Sequence, residues 1–153
     1  MDRFFKPPEV DALIPKLESL FAHMVATQER AQELAAHRPR LGATPSAAQV
    51  ADAARIRSQI EFLLTGVQED LETVGRMGGV VKDLFMGLVD FPGLVHGEEV
   101  WLCWRRGEKT VQFWHPLDAG FTARQSLGRW ELTPGHNVLK GNYDRSHGTP
   151  NSQ

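Results

Sequence analysis

Apolar residues recur every three or four positions up to Met77, and every second position in the segments after Val80. No single element accommodates both periods, so the chain must pass from helix to strand near Gly78-Gly79. In the first window Val10, Leu13, Leu17, Leu20, Met24, Ala31 and Leu34 form a stripe that Ile14 and Phe21 widen. This is the apolar face of an amphipathic helix. Pro7 and Pro8 suit its first positions, where a missing N–H costs little. Pro15 falls inside the pattern and should kink the helix or delay its start. Pro39 disfavours helical geometry at Arg38 and ends it. In the second window Thr44 can cap a helix whose first position is Pro45. Val50, Ala53, Arg57, Ile60, Leu64, Val67, Leu71 and Val74 then alternate steps of three and four, until Gly75, Gly78 and Gly79 stop the helix. The expected helices, residues 9–38 and 45–75, should lie antiparallel as a hairpin.

Beyond Val80 the expected strands are short. Leu88–Phe91 is one, stopped by Pro92-Gly93. Glu98–Arg105 is the strongest, and Thr110–His115 is its expected hairpin partner across a turn at Arg106-Gly107. That turn sets Leu102 opposite Val111 and Val100 opposite Phe113. Val100, Leu102, Trp104, Val111 and Phe113 then face the helices, with Glu99, Trp101, Cys103, Thr110, Gln112 and Trp114 on the other face. His115 falls opposite Glu98, on the core side and away from Cys103. The fold class that follows is α+β, a long antiparallel helical hairpin packed on a small antiparallel sheet, a β-meander. Residues 1–127 form one domain, with the hairpin at 9–75 and the sheet at 80–125. Residues 128–153 are a largely flexible extension, with 134–153 rich in Gly, Pro, Asn, Ser and His, and 140–153 reads as a flexible tail.

Composition narrows the function. The chain carries 17 Lys/Arg against 19 Asp/Glu, with no basic stripe, which argues against a nucleic-acid partner. One cysteine, Cys103, excludes an internal disulfide framework and a four-cysteine zinc site. No apolar run is long enough to span a membrane, and Met1–Pro8 lacks the apolar stretch of a secretion signal. A cytoplasmic setting is expected.

The segments Val81-Lys82-Asp83-Leu84 and Gly87-Leu88-Val89-Asp90-Phe91-Pro92 form a distinctive block with Leu102-Cys103-Trp104 and Gly107-Glu108. Trp114-His115, Asp118-Ala119-Gly120-Phe121 and Arg124 complete it. The block resembles the prokaryotic family named domain of unknown function 2203. The opening helix, with Val10, Leu13, Ile14 and Pro15, is similar to that family's start. The resemblance covers roughly residues 4–127. It implies that 80–125 is the family's characteristic part, and it brings no reaction with it.

The block also holds the residues able to do chemistry. His115 and Asp118, three apart at a strand end, can converge as ligands for a divalent metal ion. Asp83, Asp90, Glu98 or Glu99 would have to complete the set. The plainer alternative is a histidine bonded to Glu98 or a carbonyl, with Asp118 starting a turn. Asp90 interrupts an apolar strand, where a bare charge is costly. Glu108 is expected to pair with Arg105 across the hairpin. Arg124 can hold an anion bidentately or pair with Asp118 or Asp90. Trp104 and Trp114 can wall a ligand pocket or fill the core, and Trp101 beside Trp114 would form an exposed patch. A Cys103–His115 dyad is disfavoured by the expected register. The reading is a site for a metal or a small anionic ligand built from Asp83, Asp90, Trp104, Trp114, Arg124, His115 and Asp118. One alternative is an interaction module that forms a homodimer through helical surface the sheet leaves uncovered. The other is a metal-assisted hydrolase.

Overall fold

The computed structural model describes residues 3–128 and the backbone of Trp130–Leu132 and Leu139–Gly141. Helix α1 spans Pro7–Ala36 and α2 spans Ala47–Met77. Both bounds lie within two residues of those the periodicity predicts. Pro7 and Pro8 occupy the first turn of α1, and the Glu9 carboxylate accepts the Lys6 N–H. Helix α1 continues through Pro15, so that proline neither delays its start nor ends it. The start of α2 corrects the expected cap. Ser46, not Thr44, is the N-cap, with its Oγ accepting the Gln49 N–H while Gln49 Oε1 accepts the Ser46 N–H. The reciprocal Ser-x-x-Gln pair satisfies two otherwise orphaned donors. Gly78 closes α2 in the left-handed conformation at φ 100°. Ser46→Ala is expected to cost about 1 kcal/mol in urea unfolding. Thr44→Ala should be neutral to within about 0.5 kcal/mol.

Five strands form an antiparallel meander: β1 Val80–Asp83, β2 Leu88–Val95, β3 Glu98–Arg105, β4 Phe113–Pro116 and β5 Gln125–Ser126. A short 3₁₀ turn, Phe121–Ala123, precedes β5. Two further strands, β6 Trp130–Leu132 and β7 Leu139–Gly141, pair with each other, and β7 joins β2 in parallel at Val95. The expected tail at 140–153 lies, apart from Lys140 and Gly141, outside the described residues.

Two expectations about the strands are corrected. Strand β2 does not stop at Pro92-Gly93; it runs to Val95 and turns at His96-Gly97, both with positive φ. This is the hairpin turn whose twist matches its flanking strands. Pro92 is tolerated because its carbonyl, and with it the side lacking an N–H, faces the outer edge. There the Phe5 N–H bonds to Pro92 O at 2.7 Å. The second correction is register. Leu102 lies opposite Trp114, Cys103 opposite Phe113 and Trp101 opposite His115. Compared with the expected pairing, β4 has slid three residues, because 106–112 form a loop and not a two-residue turn. Helix α1 holds that loop. Glu18 accepts the Gly107 N–H at 2.8 Å and Asp11 accepts the Val111 N–H at 2.7 Å. An odd shift sends every β4 side chain to the opposite face.

Trp114 therefore joins Val89, Phe91, Val100, Leu102 and Trp104 on the face that meets the helices, and is 4% exposed. It is core, as Trp104 is, and the expected exposed Trp101–Trp114 patch does not form. From α1 the core receives Val10, Ile14, Leu17, Leu20, Phe21 and Met24. Helix α2 gives it only Val67 and Val74 as fully buried side chains, while Val50, Phe62 and Leu64 stay exposed. Among the described residues the sheet packs on the base of the hairpin.

Candidate metal centre

The second face of the sheet, turned away from the helices, carries an unusual row. The His96-Gly97 turn fixes Asp90 opposite Cys103, and the slid β4 brings His115 opposite Trp101. Opposed residues share a face, so Asp90, Cys103 and His115 project together from three adjacent strands. Each is 1% exposed. Their ligand-capable atoms all lie within 4.8 Å of one another. The expectation that His115 and Cys103 occupy opposite faces is thus reversed, and His115 does not face Glu98.

The histidine is fixed on both sides. Its Nδ1 donates to the Pro116 carbonyl at 2.9 Å, and Nε2 meets Asp90 Oδ2 at 2.8 Å. Burial alone would push the His115 pKa down, but the Asp90 and Pro116 bonds outweigh it and the net direction is up. The Asp90 contact therefore favours the protonated imidazole more than water does. Burial pushes the Cys103 thiol up to about 12, and the Asp90 charge adds to that. Such a thiol is no nucleophile while metal-free. Asp90 Oδ1 is buried and finds no N–H or O–H donor among the described residues.

The other expected site residues are spoken for. Asp118 is exposed in the turn after β4 and is not in the buried group. Asp83 Oδ1 accepts the Met86 N–H and closes the β1–β2 turn. Glu108 does meet Arg105, but through the Arg105 backbone N–H. Its side chain also takes Arg124 at 2.6 Å, while Arg124 reaches the Cys103 carbonyl and lies 4.0 Å over the Phe113 ring. Arg124 thereby pins the 3₁₀ segment over the second face. Lys82 sits 4.6 Å over the Trp101 ring at the same face. Trp104 and Trp114 lie in the core, on the sheet face opposite the Asp90–His115 pair.

Of the predicted residues the structure brings Asp90 and His115 together, and it adds Cys103. A signal for Cys103 was present. Reading His96-Gly97 as a two-residue turn places Asp90 opposite Cys103 by counting alone. No count along the chain places β4, because its register depends on carboxylates of α1.

The comparisons agree with the motif block. A family model described as uncharacterized conserved protein (DUF2203) matches residues 3–127. No curated protein and no solved structure matches the chain. No helix among the described residues is long and apolar enough to cross a membrane.

Proposed function

Since the chain belongs to the uncharacterised DUF2203 family, we propose its function from its own site: it binds one transition-metal ion of the zinc class through Asp90, Cys103 and His115. The observation that carries this reading is the convergence of one carboxylate, one thiol and one imidazole, all buried, on a single point. Imidazole, thiolate and carboxylate together are a donor set for zinc, not for magnesium or calcium. The imidazole is oriented as a ligating histidine is, with Nδ1–H on the Pro116 carbonyl and Nε2 turned inward. Asp90 Oδ1, without an N–H or O–H donor, leaves the carboxylate a second oxygen for the ion. A bound metal would take the Nε2 lone pair and displace the thiol proton, so uptake should strengthen as pH rises.

Burial to 1% exposure supports a closed ion that ties β2, β3 and β4 together, in preference to a metal-bound water that attacks a substrate. Chelator-treated protein should take up one equivalent of Zn²⁺. At 100-fold excess over the dissociation constant its stability should rise by about 2.7 kcal/mol. Co²⁺ should give a thiolate charge-transfer band that Cys103→Ser removes and His115→Ala weakens. Protein that takes up no metal, with both variants strongly destabilised, would mean that the three residues only bond the strands to one another.

A further inference from the structure

Helix α2 leaves a stripe of its N-terminal half without a partner among the described residues. Phe62 on it is 78% exposed. Beside Phe62 runs a groove of about 620 Å³, walled by Arg30 and Leu34 of α1 and by Arg55, Ser58 and Gln59 of α2. Residues 55, 58, 59 and 62 follow the three- and four-residue steps of one helix face. An aromatic knob and the hole it could fill thus occupy the same surface, which is the condition for a two-fold, isologous contact.

We propose that this stripe is where two copies of the chain pair, antiparallel, with the two-fold axis between Ser58 and Gln59. Side-chain character along the stripe sets the orientation. Parallel helices would stack Arg55 on the partner's Arg55. Antiparallel helices about this axis set Arg55 against the partner's Phe62, a cation–π contact made twice by symmetry. Ala51 then meets the partner's Gly66, and Asp52 meets the partner's Thr65, so no like charges on the stripe oppose each other. Gly66 is a poor residue for a helix interior, and the space above it is open, with nothing within 4 Å of where a Cβ would stand. The absence of a side chain there lets the second helix approach. From Ala51 to Gly66 the contact is about 22 Å long and two helices, about 20 Å, wide. That is the low end of specific interfaces, the size class of weak and transient association.

Sedimentation equilibrium of the full chain from about 1 to 200 µM should show a monomer passing to a dimer by mass action. Phe62→Glu should weaken the association at least tenfold. Since Phe62 is exposed, its circular dichroism and Tm should match the parent. Ser58→Cys should form a disulfide-linked dimer under mild oxidation, because the two Ser58 positions adjoin the axis, whereas Glu72→Cys, far from the axis, should not. The native Cys103 is buried and does not compete. A chain monomeric throughout the range overturns the proposal, whatever else the groove then serves. A dimer indifferent to Phe62→Glu, or cross-linked equally well by Glu72→Cys, overturns it too, since the contact would lie elsewhere.

Discussion

Asp90→Ala is expected to remove about 3–5 kcal/mol from the stability of the metal-free protein, read by urea unfolding at neutral pH. The reason is what the variant leaves behind. His115 is 1% exposed, and its Nε2 has Asp90 Oδ2 as its partner at 2.8 Å. Without the carboxylate the buried imidazole keeps its Nε2 with the Asp90 partner gone. His115→Ala should cost a similar amount by stranding the carboxylate. The double variant should lose less than the two single losses combined, by about 1–3 kcal/mol, because the second truncation removes a buried group that the first had already left without its partner. A single-variant loss below about 1 kcal/mol would mean that water reaches the pair.

Trp104→Ala is expected to cost about 3–5 kcal/mol as well, through a cavity and not a charge. Trp104 is fully buried, with its ring centroid 6.1 Å from that of Phe21 on α1. It is where the sheet meets the hairpin. Its Nε1 donates to the Glu108 carbonyl at 2.8 Å, so the same ring anchors the loop that sets the β4 register. Truncation should lower Tm by about 10–20 °C. Trp104→Phe keeps most of the volume but loses the N–H. It should fall well short of that loss in Tm and should loosen 106–112, read as faster amide exchange at Gly107 and Val111.

These two residues mark what was legible in the sequence and what was not. Trp104 was legible as core because β3 alternates cleanly and needs no partner to define its inward face. Both helices were legible for the same reason, since a three-four period is a local signal. Their caps were less so: Thr44-Pro45 and Ser46-x-x-Gln49 compete within three residues, and only the reciprocal Ser46–Gln49 bonds decide between them. Asp90 was legible as an anomaly, a charge among apolar neighbours, but its partner was not. His115 reaches it only because β4 slides by three residues, and the loop before β4 is held by Asp11 and Glu18, which lie 100 and 89 residues from the amides they accept. The segment 110–115 carries apolar side chains on both faces, Val111 and Phe113 on one and Trp114 on the other, so its own alternation does not choose the register. With the expected register, Asp118 looked like the companion of His115 and Cys103 looked unreachable. With the real one, the two exchange roles.

Ligation of one ion by Asp90, Cys103 and His115, as proposed above, has a direct spectroscopic signature. X-ray absorption at the zinc edge, on protein loaded with one equivalent of Zn²⁺, tests it most directly. One sulfur at about 2.3 Å and a nitrogen/oxygen shell at about 2.0–2.1 Å are predicted. The sulfur should vanish in Cys103→Ser. A shell of nitrogen and oxygen alone, the same in the parent and in Cys103→Ser, would place the zinc elsewhere on the protein and contradict the assignment.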